Sequence, residues 1–144
     1  MSTFYLYYFL HGLIVLLVGM LGGFPFASAI KRKNGKETAW RVVHSGSSVA
    51  GVMLIAIGVV VHFFTINPLL NCIIFWGIIT STYGFVVSMI LAAITGERGI
   101  GNNDKEKSKS WRAVYYMYGI SAFVSIISLV LLIAVCTMDL LLLN

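Results

Sequence analysis

The charged residues of this chain are confined to two short windows. All ten Lys and Arg residues fall between Lys31 and Arg41 or between Arg98 and Arg112. The stretches 1–30, 42–96 and 113–138 contain no Asp, Glu, Lys or Arg. A soluble domain needs a water-facing side on every segment, whereas a membrane-spanning helix needs about 20 apolar residues. The pattern therefore predicts an integral membrane protein.

The lengths of the uncharged runs predict how many times the chain crosses the bilayer. The first and third runs are each long enough for one span, and the middle run of 55 residues is long enough for two. Asn67-Pro68 divides that run near its midpoint, because proline removes a backbone donor and disfavours helix in the residue before it. Backbone amides in hydrocarbon must be paired within the segment, which favours helices. We expect one all-α domain over residues 1–144, a four-helix transmembrane bundle with spans at about 4–30, 44–66, 69–95 and 111–143.

The basic windows predict the orientation. Residues 31–41 carry five positive charges and one negative, and residues 97–112 carry five and three. Lys and Arg are retained on the cytoplasmic side of membranes, so both loops are expected there, with both chain ends outside. Trp40 and Trp111 lie beside these loops, where interfacial indoles are common. We expect a bacterial inner membrane. The two loops together with Asp139 account for the net charge of +5, so no nucleic-acid partner is expected.

The spans exclude one common function and suggest close helix packing. The only acidic residue within the spans is Asp139, near the end of the last one. This disfavours a proton-coupled exporter, which relies on an embedded carboxylate.

Small residues set helix contacts in lipid. They recur along three of the spans, as Gly19 and Gly23, then Ser47, Gly51 and Gly58, then Ser121, Ser125 and Ser128. A close-packed bundle that self-associates is the expectation.

Three histidines, His11, His44 and His62, are the ionisable residues available for chemistry within the spans. His44 shares a helix face with Ser47, Ser48 and Gly51, and such small neighbours leave space for a large flat group. An intramembrane imidazole is either a hydrogen-bonded structural residue or a ligand of metal or haem. A metal site made of side chains alone needs several converging ligands, whereas haem needs only one from the protein. The residues themselves leave both readings open.

Several short motifs carry a family resemblance. Residues 40–46, Trp-x-x-x-His-Ser-Gly, and the Gly-Val-Met at 51–53 resemble the second helix of the styrene oxide isomerases, small four-helix membrane proteins that hold haem b and convert epoxides to aldehydes. His-Gly-Leu at 11–13 and Arg-Gly-Ile at 98–100 are similar as well. The resemblance implies that His44 is the axial haem ligand, and that the protein is a homotrimer with haem near the subunit contacts.

Two positions depart from the family pattern. The family has Asn six residues after the ligand, where this chain has Ala50, and a Tyr in the third helix, where a gap-free match places Met89. Both polar groups are implicated in the family's handling of the epoxide. Tyr83 offers a phenol two turns earlier. Ala50, Met89 and Tyr83 are therefore the candidate positions of a substrate pocket, and the catalytic residues are left open.

Three functions are compatible with these observations. In the first, ferric haem on His44 acts as a Lewis acid that isomerises an apolar epoxide to an aldehyde. In the second, a haem protein without this catalysis carries electrons, senses or handles haem, and His11 and His62, expected at matching depth, are alternative ligands. In the third, the chain is a structural membrane subunit that binds no cofactor. The absorption spectrum of the purified protein discriminates among them.

Overall fold

The structure, a computed structural model, describes residues 4–33, 35–64, 66–96 and 109–142. These residues form four α-helices, which are α1 (Phe4–Arg32), α2 (Glu37–Phe63), α3 (Pro68–Thr95) and α4 (Lys109–Leu142). Each helix is long and apolar enough to cross a membrane. The predicted all-α fold, with four helices that could each span a membrane, is therefore confirmed. Below, the basic end of the bundle is the end with Lys36 and Lys109, and the hairpin end is the end with Asn67.

The break inside the middle uncharged run lies where the sequence predicts it. Pro68 occupies the first turn of α3, where its missing N–H is not needed. The side chain of Asn67 accepts a hydrogen bond from the backbone N–H of Leu69 at 2.9 Å, which caps the new helix. The break therefore both ends one span and begins the next.

The helices extend beyond the uncharged runs at the basic end. α2 begins at Glu37 rather than near residue 44, and α1 continues to Arg32. Lys31 and Arg32 lie in the last turn of α1, and Glu37 lies in the first turn of α2. These charges complement the helix dipoles, so they continue the helices instead of ending them. At the hairpin end, α2 stops at Phe63, before residue 66.

α1 and α2 form a tightly packed antiparallel pair along a seam of small residues. A methyl group added at Gly19 would lie 2.5 Å from the backbone nitrogen of Ser48, and one at Gly51 would lie 2.6 Å from that of Leu16. Towards the hairpin end, Gly58 lies against the side chain of Tyr8. The predicted role of Gly19 and Gly51 in helix packing is confirmed, because larger residues would push the backbones apart.

α3 and α4 form the second hairpin, packed in the same way. Gly77 of α3 faces Ser128 of α4, and Gly84 faces Ser121. The two hairpins meet mainly through α2 and α3, and within the described ranges the backbone of α4 comes close only to that of α3. A groove therefore runs between α2 and α4, with α3 as its floor. Large apolar side chains such as Phe24, 75% exposed, and Phe123, 69% exposed, cover the outer surface, as expected for contact with lipid.

Candidate functional site

His44 lies on α2 near the basic end, at the edge of the contact with α1. Its Nδ1 is 2.7 Å from the backbone oxygen of Gly19. The imidazole also lies beside Gly23, where an added methyl group would sit 3.5 Å from Nδ1. The ring of Phe26 is nearly parallel to it, with centroids 6.3 Å apart and an interplanar angle of 20°. The residue is only partly buried.

The contact with Gly19 determines which nitrogen of His44 carries the proton. A carbonyl oxygen can only accept a hydrogen bond, so Nδ1 must donate. In a neutral imidazole the lone pair then lies on Nε2. Metal-ligating histidines commonly use this arrangement, in which the second ring nitrogen donates to a backbone carbonyl and fixes the ring. His44 is thus held in the form that can ligate through Nε2.

The small residues beside His44 do not leave an open face within one chain. Ser48 lies against Gly19, Gly51 lies against Gly12 and Leu16, and Ser47 is fully buried. The space that the sequence suggested for a flat group is filled by α1, because the glycines of α1 allow the two backbones to approach. The predicted contact of Ser47, Ser48 and Gly51 with a cofactor stays a prediction.

His11 forms a second polar pair, with Tyr83 of α3. Its Nδ1 is 3.0 Å from the Tyr83 hydroxyl, and their rings meet edge to face, with centroids 5.7 Å apart. Either group can donate in this bond. The contact joins the two hairpins near the middle of the bundle, and it turns the Tyr83 phenol towards α1.

His62 does not lie at the depth of His11. It stacks edge to face on Tyr5, with centroids 4.7 Å apart, and it is exposed. Tyr5 precedes His11 by six residues, which corresponds to about 9 Å along the helix. The expected matching depth of His11 and His62 is therefore wrong. The register between α1 and α2 depends on where the glycines meet the facing backbone, and the pattern of residues alone does not predict it.

A cavity of about 150 Å³ lies in the groove between α2, α3 and α4. Its wall is mostly aliphatic and includes two hydroxyl-bearing residues, Thr82 and Ser125. Of the three predicted pocket positions, Ala50 lines this cavity. The lining residues are Ala50, Met53, Leu54, Ile57, Ile78, Thr82, Phe85, Ser125 and Leu129.

The other two predicted pocket positions lie outside the cavity wall. Tyr83 faces His11, and Met89 is buried with its sulfur against Gly46, where an added methyl group would lie 2.8 Å away. The sequence analysis missed a phenol close to Met89. Tyr118 of α4 lies beside Ser88, the residue before Met89, and its ring centroid is 5.9 Å from that of Phe85. The sequence feature that could have indicated this phenol is a tyrosine among the small residues of α4. The helix that packs against α4 was not known from the sequence, so the feature could not be used.

His44 and the cavity lie on different sides of α2. Ala50 follows His44 by six residues, a rotation of about 120° around the helix. His44 contacts α1, whereas Ala50 faces α3 and α4. No group of three or more His, Cys, Asp or Glu side chains that suits a metal ion occurs among the described residues. The His44 imidazole and an apolar cavity, on different sides of α2, are thus the two candidate functional features.

Comparison with known proteins agrees with the motifs around His44. Searches of curated proteins and of solved structures gave no match. The motif at residues 98–100 lies outside the described residues, so its position relative to His44 is not described. The family model of styrene oxide isomerase matches residues 6–137, which is most of the chain. The chain therefore belongs to the styrene oxide isomerase family.

Proposed function

We propose that this protein binds haem b through His44 and isomerises a small apolar epoxide to an aldehyde in the membrane. The observation that carries the proposal is the hydrogen bond from Nδ1 of His44 to the carbonyl of Gly19, because it leaves the Nε2 lone pair available for iron. Membership of the isomerase family supplies the reaction class.

The residues around His44 suit a group that needs a single protein ligand. The macrocycle of haem provides four ligands, so one neutral imidazole suffices. Gly23 itself places no side chain against the imidazole, and Phe26 lies nearly parallel to the ring. When bound, haem b would supply a ferric iron that acts as a Lewis acid towards the epoxide oxygen.

The apolar bundle suits the rest of the reaction. The rearrangement moves a hydrogen within the substrate, so the protein needs no site for a second reactant. Water would attack the opening ring, and an apolar environment excludes it. The cavity that Ala50 lines is mostly aliphatic, which also favours a substrate that is poorly soluble in water.

We further propose that copies of the chain complete the site together, as a trimer by the resemblance. His44 contacts α1 on one side of α2 and the cavity lies on another, so one chain by itself does not present both to the same ligand. We also expect the basic end to face the cytoplasm of a bacterial inner membrane, because Lys and Arg are retained there.

The direct experiment is an absorption spectrum of the protein purified in detergent. We expect a Soret band close to one haem per chain, with the signature of a five-coordinate high-spin ferric iron. His44→Ala should lose this band while the helical circular dichroism is unchanged, and His62→Ala should keep it as the matched control. A Soret band that His44→Ala leaves unaltered would show that another residue is the ligand.

The same spectrum separates the alternatives. A six-coordinate low-spin haem would favour electron transfer, which needs both axial positions filled. The contacts of His11 with Tyr83 and of His62 with Tyr5 keep those two imidazoles apart along α1, so they do not support such a pair within one chain. A colourless protein, purified from haem-replete cells, would instead favour a cofactor-free structural subunit.

A further inference from the structure

The cavity between α2, α3 and α4 has the size of one aromatic ring. Its volume is about 150 Å³, and an engineered apolar cavity of about that volume in another protein stays dry and binds benzene. Ala50 leaves this space open on the α2 side, and Phe85 borders it on α3. The wall therefore favours a flat apolar guest over water.

Two hydroxyl-bearing residues on the wall differ in what they offer a guest. The Thr82 hydroxyl donates to the carbonyl of Ile78 in its own helix at 2.8 Å, so its hydrogen is already used. Ser125 on α4 makes no such bond within the parts of the chain that the structure describes. Its hydroxyl is the donor on the wall that remains available to an oxygen of the guest.

We propose that this cavity binds a small molecule with one six-membered ring and one acceptor oxygen, and that Ser125 donates a hydrogen bond to that oxygen. Both an aryl epoxide and the aldehyde formed from it have this chemistry. The inference deepens the proposed function and rests on it for the identity of the natural guest. Binding itself requires only the cavity, so it is measurable without turnover.

The test uses two fluorinated probes that do not isomerise. 4-Fluoroacetophenone has a ring and an acceptor oxygen, and 4-fluoroethylbenzene has the same ring without oxygen. Each probe is titrated into the full-length protein in detergent, and the ¹⁹F NMR signal of the probe measures saturable binding. Because apolar probes also enter micelles, each affinity is read against Ala50→Leu in the same detergent. Ala50→Leu adds three carbons to the cavity wall, so both probes should lose saturable binding.

Matched variants separate the cavity from its hydroxyl. Val49→Leu adds bulk on the exposed surface of α2, where Val49 is 59% exposed, and should bind both probes like the natural chain. Ser125→Ala removes one oxygen and keeps the cavity. It should weaken binding of the ketone by about fivefold and leave the hydrocarbon unchanged. An equal loss for both probes would overturn the role of Ser125.

Other outcomes also decide the proposal. Saturable binding that survives Ala50→Leu would place the guest elsewhere and overturn the assignment of the cavity. If decane binds and the ring probes do not, and if Ala50→Leu abolishes the binding of decane, the cavity is an acyl-chain site. That result would overturn the ring specificity. Probe binding is read from the ¹⁹F signal and haem binding from the Soret absorbance of the same preparation of the natural chain, so failure of haem binding is distinguishable from failure of this inference.

Discussion

Replacing Gly19 by alanine places one methyl group at the closest approach of α1 and α2. The new carbon would lie 2.5 Å from both the backbone nitrogen and the hydroxyl of Ser48, whereas ordinary contact begins at 3.4 Å. Backbone atoms cannot rotate away, so the two helices must separate by roughly 1 Å to restore a normal distance. The hydrogen bond from His44 to the Gly19 carbonyl, now 2.7 Å, would then exceed the length of a hydrogen bond.

The expected effects of Gly19→Ala are a less stable bundle and weaker haem binding. Overpacking of this kind costs about 1–3 kcal/mol, and an interhelical hydrogen bond in a membrane protein contributes about 0.6 kcal/mol. Unfolding by SDS in mixed micelles, followed by circular dichroism, measures the stability. The Soret absorbance per chain measures haem, which should fall because Nε2 of His44 is no longer held in place.

Gly119→Ala is the matched control for this substitution. Gly119 is exposed on α4, and among the described residues no atom lies within 4 Å of the position of its added methyl group. Alanine is the better helix former by up to about 1 kcal/mol, so the control should be as stable as the natural chain or slightly more so. If Gly19→Ala instead matches Gly119→Ala in stability and haem content, the seam between α1 and α2 is not what positions His44.

Three further experiments test individual contacts. Gly23→Leu should lower the haem content several-fold, because its side chain would occupy the edge of the His44 imidazole. Gly23→Ala should be tolerated, since its methyl group would lie 3.5 Å from the ring. The Soret absorbance per chain distinguishes the two variants. Lys36→Met removes a hydrogen bond of 2.7 Å to the last turn of α3 and should cost at most about 1 kcal/mol in SDS unfolding, as for other exposed bonds. A double-mutant cycle with His11→Phe and Tyr83→Phe should give a coupling free energy of about 0.6 kcal/mol, and a value near zero would show that this contact does not join the hairpins.

The number of helices and their limits follow from simple chemistry in the sequence. Charge is expensive in hydrocarbon, so the two basic windows divide the chain into membrane segments. Pro68 divides the middle run because its ring lacks the N–H that a continuing helix needs. The helix ends were less predictable, since Glu37 and Arg32 prolong their helices by interacting favourably with the helix dipoles.

The surroundings of the site residues were not predictable in the same way. The 3.6-residue period shows that His44, Ser48 and Gly51 share a face, but it does not show what covers that face. α1 covers it, because glycines on α1 meet small residues on α2. The pairing of His11 with Tyr83 likewise depends on how α1 crosses α3. Both facts come from packing between segments that are distant in sequence.

The separation of His44 from the cavity leads to a test of how the copies cooperate. If the proposed site forms between neighbouring copies, one copy supplies His44 and the next supplies the cavity that Ala50 lines. His44→Ala and Ala50→Leu should then each abolish isomerase activity alone. Equal co-expression of the two variants gives mixed oligomers. In a closed ring of such copies, about one interface in four would pair an intact His44 from one copy with an intact cavity from the next. We therefore expect activity to return to about a quarter of the natural level. Mixed oligomers that isolate normally and stay inactive would mean that both parts must come from the same chain, which would require α2 to rotate relative to α1 on binding.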